Sequence, residues 1–110
     1  MGTRNLYLVF SRPPDRVSDD EYQRWYDVHA RENIQSPGFV STRRFAVTPS
    51  RGDGTPLTHL ALYEYEGEQH TWRDDLDRRI GLGMIQLPEW FREITFQSWD
   101  CSAVSDRIDP

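Results

Sequence analysis

The sequence predicts an α+β domain in which a four-stranded antiparallel sheet carries two helices on one face. Three observations predict it. The elements alternate in the order β-α-β-β-α-β, the strands offer apolar groups to both faces, and each helix has its own start and stop signals. Two helices cover only one face of such a sheet. The other needs an occupant, and a second copy of the same chain is the simplest one. The expected assembly is a homodimer whose sheets pack face to face.

The first strand runs from Asn5 to Ser11, with Leu6, Leu8 and Phe10 on one face and Tyr7 and Val9 on the other; Pro13-Pro14 ends it. Ser18-Asp19-Asp20-Glu21 is a capping box, so a helix is expected from about Asp19 to Ile34. Ser36-Pro37-Gly38 stops it, because the residue before proline avoids the α region and Pro-Gly favours a turn. Phe39 to Val47, rich in Phe, Val and Thr, reads as the second strand. Thr48 to Pro56, with Pro49, Gly52, Asp53, Gly54 and Pro56, reads as an exposed hairpin loop. The third strand, His59 to Glu66, puts His59, Ala61, Tyr63 and Tyr65 on one face and Leu60, Leu62, Glu64 and Glu66 on the other.

Thr71-Trp72-Arg73-Asp74 offers a second capping pattern, with Trp72, Leu76 and Ile80 at helical spacing. Asp74 and Asp75 early and Arg78 and Arg79 late suit the helix dipole, and Gly81 is the expected stop. A connector from Leu82 to Phe91 leaves room for one helical turn after Pro88. Glu93 to Trp99 is the expected fourth strand. Residues 1–101 thus read as one domain, and 102–110 as a polar tail that frays. This order is the ferredoxin-like pattern, with the sheet pairing into a homodimeric α/β barrel.

Composition narrows the function classes. The chain has 110 residues and a formal net charge of -5, and all 13 of its basic residues are Arg. With no lysine there is no Schiff-base chemistry and no P-loop. An acidic chain without a basic run lacks the electrostatic footprint of a nucleic-acid binder. No apolar stretch is long enough to span a membrane, and no signal-peptide layout opens the chain, so a cytoplasmic location is expected. The single Cys101 permits neither an internal disulfide nor a thiolate metal site. Only 36% of residues are hydrophobic while 13% are aromatic, so the large rings must complete a small core, line a pocket, or both.

The first helix is the most informative element. Tyr22, Trp25, Tyr26, His29 and Asn33 follow helical spacing and share one face, aromatic at its start and polar at its end. Gln23, Arg24, Asp27 and Arg31 form the opposite, solvated face. His29 lies near the centre of the stripe and points toward the sheet. Two readings stand: a satisfied interior histidine, or a general base in an aromatic cleft, a role imidazole suits because it titrates near neutrality. Tyr22, Trp25 and Tyr26 read as core that can also form a cavity wall.

His59 reads as a sheet-surface or interface residue and His70 as a solvated loop residue. His29, His59 and Glu32 match no dedicated metal motif, so no metal is expected. Gly81-Leu82-Gly83 lacks a dinucleotide fingerprint, Ser11, Ser36 and Ser41 lie in no nucleophile elbow, and nothing near Cys101 activates its thiol. Arg43 and Arg44 point to opposite sheet faces. One is solvated; the other, taken as Arg44, is available to a ligand carboxylate or phenolate, or to an acid across a dimer interface.

The run Tyr22-Gln23-Arg24-Trp25-Tyr26-Asp27-Val28-His29, then Ser36-Pro37-Gly38-Phe39 and Arg43-Arg44-Phe45, resembles the EthD-like branch of the dimeric α/β-barrel superfamily. Members commonly show an aromatic-x-x-Trp-Tyr-x-x-His helix, then Pro-Gly-Phe entering a strand with Arg-Tyr or Arg-Phe. The match covers the first half of the chain, and the second half agrees in element order. Arg31 stands where a proline often follows the helix histidine, so the helix is expected to run further here. The resemblance implies a homodimer and a ligand cleft between sheet and helices, with His29 flanked by Trp25 and Tyr26. Its enzymes include polyketide cyclases, lactone isomerases, lyases and cofactor-free monooxygenases, and other members bind haem.

The reading is therefore a cofactor-independent lyase, isomerase or cyclase acting on a small aromatic or polyketide-like substrate. His29 abstracts a proton, Tyr7 or Tyr65 donates to the developing oxyanion, and Trp25, Tyr26 and Trp90 hold the ring, with Tyr22, Asn33 and Arg44 as further binding residues. The alternatives are a cofactor-free monooxygenase of phenols and a non-catalytic ligand- or haem-binding protein.

Overall fold

The structure, a computed structural model, describes residues 3–52 and 56–110. Part of the Thr48 to Pro56 loop, with Asp53 and Gly54, therefore lies outside the described residues. The elements are β1 (Asn5–Arg12), α1 (Asp19–Asn33), β2 (Phe39–Ala46), β3 (His59–Tyr65), α2 (Gln69–Gly81) and β4 (Thr95–Cys101), with a 3₁₀ turn at Glu89–Glu93. The strands form one antiparallel sheet in the order β2-β3-β1-β4, which is the ferredoxin-like topology the sequence predicts. No helix among the described residues is long and apolar enough to cross a membrane.

Local signals set the α1 boundaries. Ser18 is the N-cap and its side chain accepts from the backbone N–H of Glu21 at 3.1 Å. The helix passes through Arg31 without a break, since a residue with a free N–H keeps the ladder where proline would end it. Gly38 follows with φ +101°, a region that side chains avoid, and a Cβ there would lie 3.2 Å from the carbonyl oxygen of Glu66.

The second half departs more from expectation. The helix α2 starts at Gln69, two residues before Thr71, with Glu68 as an N-cap whose side chain makes no capping bond. His70 is thus helical rather than in a loop, though exposed as expected. Gly81 is the last helical residue; Gly83, at φ +73°, takes the positive-φ turn beyond it. The fourth strand begins at Thr95, because the turn after Pro88 extends through Glu93.

Strand alternation divides the sheet into two unlike faces. Under the helices lie Tyr7, Val9 and Ser11 from β1 and Ala61, Tyr63 and Tyr65 from β3. They pack against Tyr22, Tyr26, Ala30, Trp90 and Ile94 to form the core. Toward the open side lie Leu6, Leu8, Phe10, Leu60 and Leu62, all half-buried, with Phe45 and Trp99 38% and 52% exposed.

A register shift in β2 between Phe39 and Ser41 changes which face one residue serves. Strict alternation would put Phe39 with Ser41, Arg43 and Phe45 on the open side. The irregularity instead sets Phe39 opposite Tyr65, on the helix side, while Arg43 and Phe45 stay opposite Leu62 and Leu60.

Candidate active site

A cavity of about 180 Å³ lies between the sheet and the helices. Each element contributes to its wall: Tyr7 and Val9 from β1, Tyr26, His29 and Asn33 from α1, Phe39 from β2, Tyr63 from β3, Leu76 and Ile80 from α2, Phe91 from the 3₁₀ turn, and Phe96 and Ser98 from β4. Phe96 is 39% exposed and Ser98 is also exposed, which marks the open side along β4. The α1 residues at the other side are buried.

His29 is 8% exposed and stacks on Trp25, ring centroids 4.7 Å apart at 18°. The edges of Tyr26 and Phe91 enclose it at 5.7 and 6.2 Å. Its buried Nδ1 finds no hydrogen-bond partner among the described residues. Burial disfavours the imidazolium and lowers the His29 pKa to about 4. The histidine at the centre of the stripe is therefore a neutral imidazole on a cavity wall, with an unpaired ring nitrogen.

Asn33 lies one turn further along. It is 7% exposed, and its Nδ2 donates to the Tyr63 hydroxyl at 3.0 Å. Its Oδ1 has no partner among the described residues. Tyr63 is 1% exposed, and burial pushes its pKa up to about 12. Burial also holds the Tyr26 phenol well above the usual range, with the neighbouring Tyr63 adding to the effect. Both phenols are thus hydrogen-bond donors throughout the physiological range.

The structure brings four of the sequence-predicted site residues, Tyr7, Tyr26, His29 and Asn33, onto the cavity wall and leaves the rest off its lining. Tyr65 is buried but not on the cavity; its ring packs on Trp72 at 5.5 Å, because its place at the end of β3 carries it under α2. Tyr22 is fully buried core, its hydroxyl 2.6 Å from Ser11 Oγ. Trp25 lies behind His29 rather than on the lining, and Trp90 packs edge-on against Trp25 at 5.0 Å. Arg44 is spent elsewhere: its guanidinium lies 5.1 Å from the Tyr26 ring centroid and bonds to the carbonyl and side chain of Gln23.

The rings that do line the space include Phe39, Phe91 and Phe96. The sequence places Phe39 and Phe96 on strands without marking either as a site residue. The β2 irregularity moves Phe39 inward, and pairing opposite Ser11 puts Phe96 on the covered face. Tyr63 was also missed as a site residue, although its alternation with Ala61 and Tyr65 already placed it on the covered face.

His59 is not part of this cavity. Its Nε2 lies 3.2 Å from Asp19 Oδ1 and its Nδ1 2.8 Å from Thr58 Oγ1, so both nitrogens are engaged where β3 meets the start of α1. Among the described residues, no group of three or more His, Cys, Asp or Glu comes together to hold a metal ion.

No protein-family model matches this chain, and no curated protein matches it. Solved structures do. At3g17210 from Arabidopsis thaliana superposes with a TM-score of 0.69 at 10% identity, over 94% of this chain and 99% of that one. A candidate monooxygenase from Shewanella loihica PV-4 gives 0.62 at 13% identity, over 96% and 98%. A dimeric ferredoxin-like protein of unknown function from Thermobifida fusca YX gives 0.52 at 14% identity, over 90% and 92%. At these identities the likeness is one of fold, and the chain has the ferredoxin-like α+β fold over nearly its whole length.

Proposed function

We propose that the protein is a cofactor-independent enzyme of the lyase, isomerase or cyclase type, in which His29 moves a proton on a small aromatic or conjugated substrate. The observation that carries this reading is the neutral, unpaired imidazole on the wall of an aromatic cavity. In most folds a buried histidine with only a packing role has its ring nitrogens satisfied. The resemblance of the α1 stripe to the EthD-like branch points the same way.

The low pKa does not disqualify His29 as a base. Burial penalises a lone imidazolium, but proton abstraction creates an enolate or phenolate beside it, and an opposite charge within about 4–6 Å favours the charged form. Tyr7, Tyr26 and Tyr63 are the phenols on the wall, and any of them can donate to the oxyanion. Tyr7 keeps its assigned role; Tyr63 replaces Tyr65. The apolar wall excludes water, which strengthens such a contact.

The test is proton exchange itself. With small phenols and enolisable carbonyl compounds in deuterated buffer, mass spectrometry should detect catalysed deuterium incorporation. Replacing His29 with Gln should cut its rate by a factor on the order of 10²–10⁴ without loss of fold. An undiminished rate in the folded variant would refute the assignment.

A second reading, a cofactor-free monooxygenase of phenolic substrates, draws on the fold shared with the Shewanella loihica PV-4 protein. Oxygen consumption coupled to turnover favours it, and undiminished turnover under strict anaerobiosis removes it.

We also propose that the open sheet face is covered by a second copy of this chain. The face offers Leu6, Leu8, Phe10, Leu60 and Leu62 to solvent beside the exposed Phe45 and Trp99. Contiguous apolar surface of this kind marks an interaction site. Light scattering at micromolar concentration should give a dimer, and Leu8→Asp should shift it to monomer. A wild-type monomer overturns the proposal.

A further inference from the structure

From the cavity wall we infer that the ligand is a neutral aromatic compound carrying a hydroxyl that donates to Asn33 Oδ1. The inference rests on reading this cavity as the substrate site and deepens that reading to a substrate class.

Size supplies the first criterion. A cavity of roughly 150 Å³ lined by aliphatic and aromatic side chains admits benzene. The present one, about 180 Å³, admits an aromatic ring, and its open side along β4 leaves room for a substituent to project.

Charge sets the second limit. Among the described residues, the lining contains no Arg, Asp or Glu. The guanidinium groups beside the wall are already engaged: Arg44 lies over the Tyr26 ring, Arg73 over the Tyr7 ring at 4.8 Å, and the buried Arg79 donates to the Glu32 and Asn33 carbonyls and pairs with Asp75. A carboxylate entering the cavity loses its hydration and gains no cation.

Hydrogen-bond capacity sets the third. The Asn33 amide is oriented by its bond to Tyr63, which uses the Nδ2 donor and leaves Oδ1 as an acceptor. A buried acceptor without a partner is costly, so this position favours a ligand that brings a donor. The unpaired Nδ1 of His29 lies one helical turn away on the same face. Recognition at Asn33 and proton transfer at His29 are thus separable tasks on one stripe.

The experiment titrates the full chain near neutral pH with phenol, anisole and benzoate, following the side-chain amide of Asn33 by NMR. Phenol should bind about tenfold more tightly than anisole, which has the same ring but no donor. Benzoate should bind more weakly than phenol. In Asn33→Leu, followed by tryptophan fluorescence, phenol should fall to the level of anisole; in His29→Gln the preference for phenol should persist. Equal binding of phenol and anisole, a preference that survives Asn33→Leu, or tighter binding of benzoate would overturn the inference while leaving the cavity as a ligand site. Binding of none of the three to the wild type would remove the cavity reading itself, and the inference with it.

Discussion

Tyr22 and Asn33 occupy opposite ends of one stripe on α1, and their hydrogen bonds differ in kind. The Tyr22 hydroxyl is fully buried and paired with Ser11. His29 and Asn33 are almost as buried, yet each keeps an unpaired polar atom beside a cavity. Both ends look alike as a helical pattern of rings and amides. Trp25 Nε1 on the same stripe is also unpaired among the described residues but lies off the lining. An unpaired polar atom together with a place on the cavity wall, rather than burial, therefore separates the part of the stripe free to meet a ligand from the part that holds the fold.

The largest effect expected from this contrast is pH-dependent. The His29 pKa falls from 6.5 in the unfolded chain to about 4 in the folded one, so between these values the unfolded state binds more protons. Its contribution to stability is present in full above about pH 6.5 and is lost as the pH falls through about 4. The loss amounts to roughly 3 kcal/mol. Urea denaturation across this window should show a steeper decline for the wild type than for His29→Gln. Parallel curves would mean that His29 is solvated or paired after all.

A smaller effect separates the two ends directly. Tyr22→Phe strands the Ser11 hydroxyl in the core and should cost about 1–2 kcal/mol. Asn33→Leu removes an amide that was itself only half satisfied, and should cost less than Tyr22→Phe. The reverse order in denaturation midpoints would break the comparison, because it would make Asn33 a structural residue.

Much of the fold could be read along the chain because its signals are local. The Ser18 capping box, the Pro37-Gly38 stop and the alternation in β1 and β3 each involve residues within a few positions of one another. The start of α2 is hidden in the sequence because Thr71 resembles a cap, while the helix begins at Gln69 without any side-chain cap. Tyr65 and Tyr63 share a strand face and nothing in their spacing distinguishes them. Only the placement of α2 puts Trp72 over Tyr65 and leaves Tyr63 open to the cavity.

The sequence by itself determined the element order, the facing of the α1 stripe, and the presence of a histidine and an asparagine one turn apart on its inner side. Tertiary structure decided which rings surround them. The β2 irregularity turned Phe39 inward, Gln23 and Tyr26 engaged Arg44, and Trp25 moved behind His29 instead of beside a ligand. Periodicity depends on neighbours a few residues apart, so it survives in the sequence. A cavity is the space left when distant elements stop short of one another, and no local pattern encodes that distance.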